Sequence, residues 1–186
     1  MAARFESIGV NHRAFIEKQR VFFVASAAPG AHINLSPKGL DCLRVLDERS
    51  AVYLDMTGSG NETAAHLQAD GRLTFMFCAF EGPPLILRLY GRGRVLPRGG
   101  AEYADLLTQY FNGAERVGAR QMVLLNVDLV LTSCGYAVPN LEFRSERPGL
   151  DAWAAQQGKD GLVAYRRLKN MASIDGLPTG FVEADS

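Results

Sequence analysis

The chain has 186 residues, enough for one domain with a full core, and 47% of them are apolar. Its 20 Lys and Arg side chains balance its 20 Asp and Glu side chains, so the formal net charge is zero. A neutral chain of this kind is not expected to bind nucleic acid or anionic membranes in general.

The sequence predicts a cytoplasmic protein. The first residues contain no apolar segment of the kind that a signal peptide needs, and no apolar run is long enough to cross a bilayer. Cys42, Cys78 and Cys134 are an odd, unclustered set, which is typical of reduced thiols. Neither these cysteines nor the three histidines have the spacing of a metal site, so we expect no metal.

Six predicted strands and few helices describe a small barrel. A short helix over residues 11–20 leads the chain, and strands follow at residues 21–25, 32–36, 51–56, 73–80, 85–96 and 122–131. Further helices are predicted at about residues 60–69, 103–110 and 150–170. In the last of them Gly158 and Gly161 disfavour a continuous helix. Because the strands lack long helical crossovers, we predict a mainly β (α+β) fold, a closed or split six-stranded barrel with peripheral helices.

The second predicted strand carries polar side chains on one face. Ile33 and Leu35 alternate with Asn34 and Ser36, so the two pairs point to opposite sides of the strand. If the apolar pair faces the core, the polar pair lines a groove. Lys38, just past the strand end, can then neutralise a phosphate or hydrogen-bond a ring carbonyl. A solvated strand face that ends in an exposed lysine explains the same pattern.

A glycine-rich turn joins the third strand to a helix and is the clearest candidate for an anion site. Backbone N–H groups at a helix start are unpaired and carry partial positive charge, and Gly58 and Gly60 allow a phosphate to approach them closely. Side chains able to add hydrogen bonds are Thr57, Ser59, Asn61 and Thr63. The turn is neither a Walker loop nor a dinucleotide fingerprint. A capping box between Ser59 and Glu62 explains it without any ligand.

Two further segments have both a functional and a structural interpretation. The long strand presents a basic, aromatic face made of Arg88, Tyr90, Arg92 and Arg94. Such a face can hold single-stranded nucleic acid, but the neutral overall charge favours an anion pocket, a subunit contact or solvated surface. After the last strand, Cys134 and Tyr136 lie in an irregular segment that either lines a site or packs as a corner.

The order of these motifs resembles the pyridoxamine 5′-phosphate oxidase-related family of flavin mononucleotide (FMN) proteins, and within it a bacterial branch. The motifs are Asn-Leu-Ser-Pro-Lys-Gly at residues 34–39, Thr-Gly-Ser-Gly-Asn-Glu-Thr at 57–63, Cys-Ala-Phe-Glu-Gly-Pro-Pro at 78–84 and Ser-Cys-Gly-Tyr at 133–136. The resemblance spans about residues 11–180. It implies a split-barrel domain over residues 1–140, a helical extension over 141–186 packed on the barrel, and a homodimer with two FMN molecules between the subunits.

The resemblance also assigns roles to individual residues. Lys38 corresponds to the lysine near the flavin, and the turn at residues 57–63 replaces a Ser-Arg-Lys turn that binds phosphate in the oxidases. That cationic pair is absent here, so charge has to come from Lys38, or from Arg88 and Arg92 of the same or the partner subunit. We expect Glu62 to turn back to the helix cap, since a carboxylate repels phosphate. Tyr136 and the neighbouring Cys134 would lie beside the flavin ring.

The function implied by the resemblance is flavin-dependent redox chemistry on a small molecule, with no catalytic side chain identified. The oxidases end in a tail with Trp and Arg that holds the substrate, whereas this chain ends Phe-Val-Glu-Ala-Asp-Ser, so oxidation of pyridoxamine phosphate itself is not expected. Two alternatives stay open. One is a non-enzymatic module that holds or senses flavin, and the other is the same fold with haem, the deazaflavin F420 or pyridoxal phosphate as its ligand.

Overall fold

The structure is a computed structural model that describes residues 2–183, and its core is one curled antiparallel sheet. The strands are β1 Ala3–Phe5, β2 Phe22–Ser26, β3 Asn34–Lys38, β4 Leu43–Val45, β5 Ser50–Met56, β6 Arg72–Cys78, β7 Ile86–Pro97 and β8 Ala119–Ser133. Their spatial order is β3-β2-β6-β7-β8-β5-β4, with β1 paired to β8. All six predicted strands are present, and the predicted mainly β barrel is confirmed as a split barrel. The two additional strands, β1 and β4, have three residues each.

In the described part of the chain four helices lie around the sheet: α1 Val10–Glu17, α2 Glu62–Ala69, α3 Ala101–Tyr110 and α4 Gly149–Lys169. Helix α4 is interrupted at Gly158, whose φ of 64° lies in the left-handed region that glycine adopts without a steric penalty. The division of the last helix at this glycine is therefore confirmed, while Gly161 lies within its second half. Within residues 2–183 no helix is both long and apolar enough to pass through a membrane.

Aromatic side chains fill the space inside the curl. Phe22, Tyr53, Phe75 and Phe77 are buried, with neighbouring ring centroids 5.6 to 5.8 Å apart. They come from β2, β5 and β6, so curling of the sheet brings the inner faces of distant strands together. Offset and edge-to-face contacts of this kind stabilise a core beyond the area that they bury. The cluster fixes the position of β5 relative to β2 and β6.

A bulge between β5 and β8 redirects one arginine. Asp55 is opposite Gln121 and Met56 is opposite Ala119, so Arg120 is the extra residue on β8. An extra residue in one strand bends the chain locally and re-aims its side chain. The Arg120 side chain is consequently turned towards Asp55, and its Nε lies 2.8 Å from that carboxylate.

The structure overturns the expected orientation of the second predicted strand. Ile33 is 78% exposed and Leu35 is 62% exposed, so the apolar pair does not face the core. Strand β3 is at the edge of the sheet and pairs only with β2, and its inward positions are taken by Asn34 and Ser36. The polar face expected at this strand is therefore present, but it faces inwards and the apolar face is outside.

The segment that follows α4 is packed. Asn170 is fully buried, and Thr179 donates a 2.7 Å hydrogen bond to its carbonyl. Ala172 forms a bridge with Pro178, and Phe181 is buried. Asn170 Nδ2 also donates to the Gly58 carbonyl at 2.9 Å, which holds the segment against the turn that precedes α2.

Candidate functional site

A cavity of about 570 Å³ lies between β3, the end of β5, the turn before α2 and the segment that follows α4. This volume is within the range of small-molecule sites. Its lining includes seven residues that the sequence analysis singled out: Asn34, Ser36, Lys38, Gly58, Ser59, Gly60 and Thr63. Two segments that are far apart in the sequence thus meet at one cavity. Arg120, Glu62 and Lys169 add charged side chains to it.

Asp55 is the centre of a charged network in the wall of this cavity. Its carboxylate is 2% exposed and accepts hydrogen bonds from Lys38 Nζ at 2.9 Å, Arg120 Nε at 2.8 Å and Gln121 Nε2 at 2.9 Å. Arg120 is itself 5% exposed and also donates to the Gly60 carbonyl at 2.9 Å. The network joins β3, β5, β8 and the turn, so it fixes where the two cations stand relative to the glycines.

The electrostatics of the network favour an ionised Asp55 and a net positive cavity. Burial on its own would raise the pKa of the Asp55 carboxyl, but the attraction of Arg120 and Lys38 and their hydrogen bonds outweigh burial, so its pKa lies below its usual range. The charged side chains that line the cavity are three cations, Lys38, Arg120 and Lys169, and two carboxylates, Asp55 and Glu62. One positive charge is left over, which suits an anionic ligand.

Thr57 and Asn61 support the turn from inside the protein and do not line the cavity. Thr57 Oγ1 donates to the Gly118 carbonyl at 2.8 Å and accepts a hydrogen bond from Arg166 Nη1 at 3.2 Å. The Asn61 amide accepts from Gln121 Nε2 at 2.8 Å, and both Thr57 and Asn61 are buried. Hydrogen bonds from the turn to a ligand would therefore have to come from the other residues of the turn.

The expected capping box is not formed. Asn61, not Ser59, is the N-cap of α2, and within residues 2–183 no side chain caps the helix start. The Glu62 carboxylate does not turn back to the cap but accepts hydrogen bonds from the Ile174 backbone N–H at 3.1 and 3.2 Å. The reason is the packed C-terminal segment, which offers an N–H donor that no local pattern reveals. These hydrogen bonds hold the Glu62 carboxylate at the edge of the cavity.

A chain of polar side chains leads from the cavity into the core. Ser36 Oγ donates to Asn34 Oδ1 at 3.0 Å, and Asn34 Nδ2 donates to Thr63 Oγ1 at 3.1 Å and Ser26 Oγ at 3.3 Å. Ser26 Oγ lies 3.1 Å from His66 Nδ1. These bonds fix the orientation of the Asn34 amide. The buried His66 Nε2 has no hydrogen-bond partner within residues 2–183.

The C-terminal segment forms the remaining wall of the cavity. Asn170 Nδ2 donates to the Gly58 carbonyl at 2.9 Å, and Asn170 Oδ1 accepts from Arg120 Nη1 at 2.8 Å. Arg166, buried on α4, pairs with Glu183 through a 2.9 Å hydrogen bond from Nε. Asn170 thus links the glycine turn and Arg120 to the end of α4.

Four residues singled out from the sequence lie away from this cavity. Arg88 Nη1 donates to Ser133 Oγ at 3.2 Å, and Arg92 Nη1 donates to the Asp70 carbonyl at 2.5 Å. Cys134 is exposed and Tyr136 is 83% exposed. Contact of these four side chains with a ligand in this cavity stays a prediction that requires a second subunit.

Arg120, Gln121, Asn170 and Arg166 are the functional candidates that the sequence analysis missed. A signal for the first two was present, because an aspartate inside the apolar strand at 51–56 needs a buried partner, and a polar Arg-Gln pair precedes the apolar run at 122–131. No comparable signal marks the other two. Among the described residues no group of three or more His, Cys, Asp or Glu side chains is placed to hold a metal ion.

Fold and cavity together define a split β-barrel protein with a polar, cation-bearing cavity of small-molecule size. A family model described as pyridoxamine 5′-phosphate oxidase matches residues 9–134. The chain is also 37% identical over 190 residues to the "Pyridoxamine 5′-phosphate oxidase family protein ustO" of Aspergillus flavus, across 94% of this chain and 76% of that protein. The chain therefore belongs to the pyridoxamine 5′-phosphate oxidase family, as its motifs predicted. Membership of the bacterial branch stays a prediction.

Solved structures share the fold at low sequence identity. A HupZ variant from Group A Streptococcus matches with a TM-score of 0.55 at 18% identity, covering 68% of this chain and 99% of that chain. A putative pyridoxamine 5′-phosphate oxidase from Lactobacillus delbrueckii matches with a TM-score of 0.53 at 13% identity, covering 68% and 94%. At these identities the likeness concerns the barrel and not the chemistry of the site.

Proposed function

We propose that this chain is an FMN-binding protein that uses the flavin for two-electron redox chemistry on a small molecule. One observation carries the proposal: two sequence-distant polar motifs and the paired cations Lys38 and Arg120 surround a single cavity in a barrel of this family. FMN, when bound, supplies the hydride-transfer chemistry, and the protein supplies position and electrostatics. No side chain has to act as a strong acid or base.

The donors around the cavity fit a phosphate-bearing nucleotide. Lys38 Nζ uses one N–H on Asp55, and within residues 2–183 its other two N–H donors have no protein acceptor. Those two donors are free to hold a phosphate. Gly58 and Gly60 leave room for an anion beside the turn, where Ser59 and Thr63 add hydroxyl groups.

Arg120 has a supporting role in this proposal. Its guanidinium is held by Asp55, the Gly60 carbonyl and Asn170 Oδ1. It therefore places positive charge behind the turn without depending on a flexible side chain. Thr57 and Asn61 shape the turn in the same way, through buried hydrogen bonds.

We also propose that the protein is a homodimer with FMN at the subunit interface. Ile33 and Leu35 are exposed beside the cavity, at the free edge of the sheet. Exposed apolar side chains on an edge strand favour contact with another chain. In a dimer, Arg88, Arg92, Cys134 and Tyr136 of one subunit can approach the cavity of the other.

Titration with FMN and riboflavin tests the cofactor assignment. Purified protein is expected to bind FMN with quenching of flavin fluorescence, and the Lys38→Ala variant is expected to bind FMN about tenfold or more weakly, since a charge-assisted hydrogen bond is lost. Riboflavin, which lacks the phosphate, is expected to lose little affinity in the same variant. The matched control is Lys159→Ala, an exposed lysine on α4. Unchanged FMN affinity in a folded Lys38→Ala variant contradicts the proposed phosphate site.

A second experiment separates an enzyme from a flavin carrier. The FMN-loaded protein is mixed with NADH or NADPH without oxygen, and then with candidate acceptors. Bleaching of the flavin followed by reoxidation at a rate that depends on the acceptor supports a flavin-dependent oxidoreductase. A flavin that no donor reduces supports the non-enzymatic module instead.

A further inference from the structure

A second cavity, of about 360 Å³, lies between α1, the start of β2 and β4. It is separate from the proposed FMN site and shares none of its lining residues. Its floor is apolar and consists of the buried side chains of Ile16, Phe22, Cys42, Val45 and Phe77. Burial raises the pKa of the Cys42 thiol to about 12, so this side chain is uncharged at neutral pH. The floor offers a surface for an apolar, ring-sized group.

The rim of this second cavity carries one uncompensated positive charge. Arg44 is neutralised by a two-pronged contact with Asp41, at 2.9 and 3.0 Å. Arg13 lies 3.9 Å from Glu17, a distance at which an exposed ion pair is weak. Arg20 has no carboxylate within ion-pair distance among the described residues, and its guanidinium lies over the Phe143 ring at 5.0 Å from the centroid. The Phe143 ring covers one face of the Arg20 guanidinium, but among the described residues no acceptor takes up its N–H groups, so these donors can serve an anion.

The turn that borders this cavity is strained and firmly held. Leu40 and Asp41 have φ values of 64° and 52°, in the left-handed region that residues other than glycine rarely adopt. Arg116 Nη1 donates to the Leu40 carbonyl at 2.6 Å, and Arg44 Nη1 donates to the Asp41 carbonyl at 3.0 Å. Strained turns persist only where the surroundings impose them, and they cluster at ligand sites. The mouth of the cavity is thus preformed.

We propose that this second cavity binds a small organic acid, with its apolar body on the buried floor and its carboxylate at Arg20, next to Arg13. A planar guanidinium matches a carboxylate with two parallel hydrogen bonds. A neutral ligand would leave the free charge unused, and an inorganic anion would leave the apolar floor uncovered. The site does not depend on flavin, so it can be tested on the protein with or without FMN.

Three probes, benzoate, benzyl alcohol and acetate, test this proposal. Benzoate has both an apolar ring and a carboxylate, benzyl alcohol lacks the negative charge, and acetate lacks the ring. Titrations are followed by the backbone amide signals of Gly39 and Cys42, which border the cavity. Saturable shifts are expected with benzoate, at an affinity about tenfold or more above either other probe, the gain expected from one charge-assisted contact or from one buried ring. Equal binding of benzyl alcohol, or no saturation with benzoate, overturns the proposal.

Substitutions locate the acid on the molecule. Arg20→Gln is expected to weaken benzoate binding about tenfold. Arg20→Lys is expected to weaken it less, because lysine keeps the positive charge and loses only the two-pronged hydrogen bonding of the guanidinium. Lys18→Gln, an exposed neighbour at the end of α1, is the matched control and should leave binding unchanged. Lys38→Ala separates this site from the flavin site. Loss of benzoate binding in that variant, with binding retained in Arg20→Gln, places the acid at the flavin cavity and contradicts the inference.

Discussion

Replacement of Asp55 by asparagine is expected to destabilise the protein strongly. The carboxylate accepts hydrogen bonds from Lys38, Arg120 and Gln121, and it is nearly inaccessible to water. Asparagine keeps the shape but removes the charge and turns an amide towards one cation. Two positive groups, one of them buried, are then left without a counter-charge. Removal of one partner of a buried ion pair costs about 3 to 5 kcal/mol, a large part of the total stability of a domain.

The effect of Asp55→Asn should shrink in acid. Lys38 and Arg120 hold the pKa of the folded carboxyl below its usual range, against the opposing effect of burial. The ionised group therefore stabilises the fold fully above the pKa of the unfolded chain, about 3.9, and this stabilisation is lost as the pH falls towards the folded pKa. Between pH 7 and pH 3 the free energy of unfolding of the wild type should therefore lose about 1 kcal/mol of its advantage over the variant.

Urea denaturation of both proteins at pH 7 and pH 3 measures the two effects. The matched control is Asp128→Asn, an exposed carboxylate on β8, which should change the free energy of unfolding by no more than about 0.5 kcal/mol. A variant as stable as the wild type at pH 7 would refute the central role of the network. A difference in the free energy of unfolding between wild type and Asp55→Asn that widens as the pH falls would refute the assigned direction of the Asp55 pKa shift.

Three further outcomes follow from backbone packing, the C-terminal segment and thiol exposure. Gly91→Ala should fold poorly or melt many degrees lower, because its Cβ would stand 1.8 Å from the Asn126 carbonyl oxygen, whereas Gly149→Ala, with open space around it, should melt like the wild type. Asn170→Ala should speed amide hydrogen exchange in the segment that follows α4, since it removes the hydrogen bonds to the Gly58 carbonyl and to Arg120. Unchanged exchange would contradict the role of Asn170 in holding this segment against the turn. Native protein should show one rapidly reacting thiol, Cys134, and three after unfolding; a second fast thiol would contradict the burial of the other two cysteines.

The strands were predictable where their apolar pattern was long enough. Strands β5, β6 and β8 are nearly continuous apolar runs and were found within a few residues. Strands β1 and β4 have only three residues each, too few for a period to show, and they exist because long neighbours pair with them. A local sequence pattern reveals a strand only through the alternation of its side chains, whereas these two short strands depend on pairing with β8 and β5.

The orientation of β3 shows a second limit. The alternation of Ile33 and Leu35 with Asn34 and Ser36 was visible, but which face turns inwards depends on the position of the strand in the sheet. At an edge, next to a polar cavity, the usual rule that apolar side chains face the core does not hold. The sequence indicated a polar face that could line a groove, but its condition that Ile33 and Leu35 face the core is not met.

The candidate site was partly predictable for similar reasons. Compact motifs marked Lys38 and the glycine turn, and the fold brings both to one cavity. Arg120 reaches the cavity through a bulge between distant strands. Asn170 contacts the glycine turn from a segment more than a hundred residues from Gly58. Neither contact has a local pattern, so each becomes visible only when the fold places its partners side by side.

A crystal structure of the protein with FMN would show where the phosphate binds. We expect the phosphate within hydrogen-bond distance of Lys38 Nζ and beside the backbone of Gly58 to Gly60, with the salt bridge between Asp55 and Arg120 intact. A phosphate bound elsewhere on the barrel, with this cavity empty or closed by Glu62, would contradict this expectation.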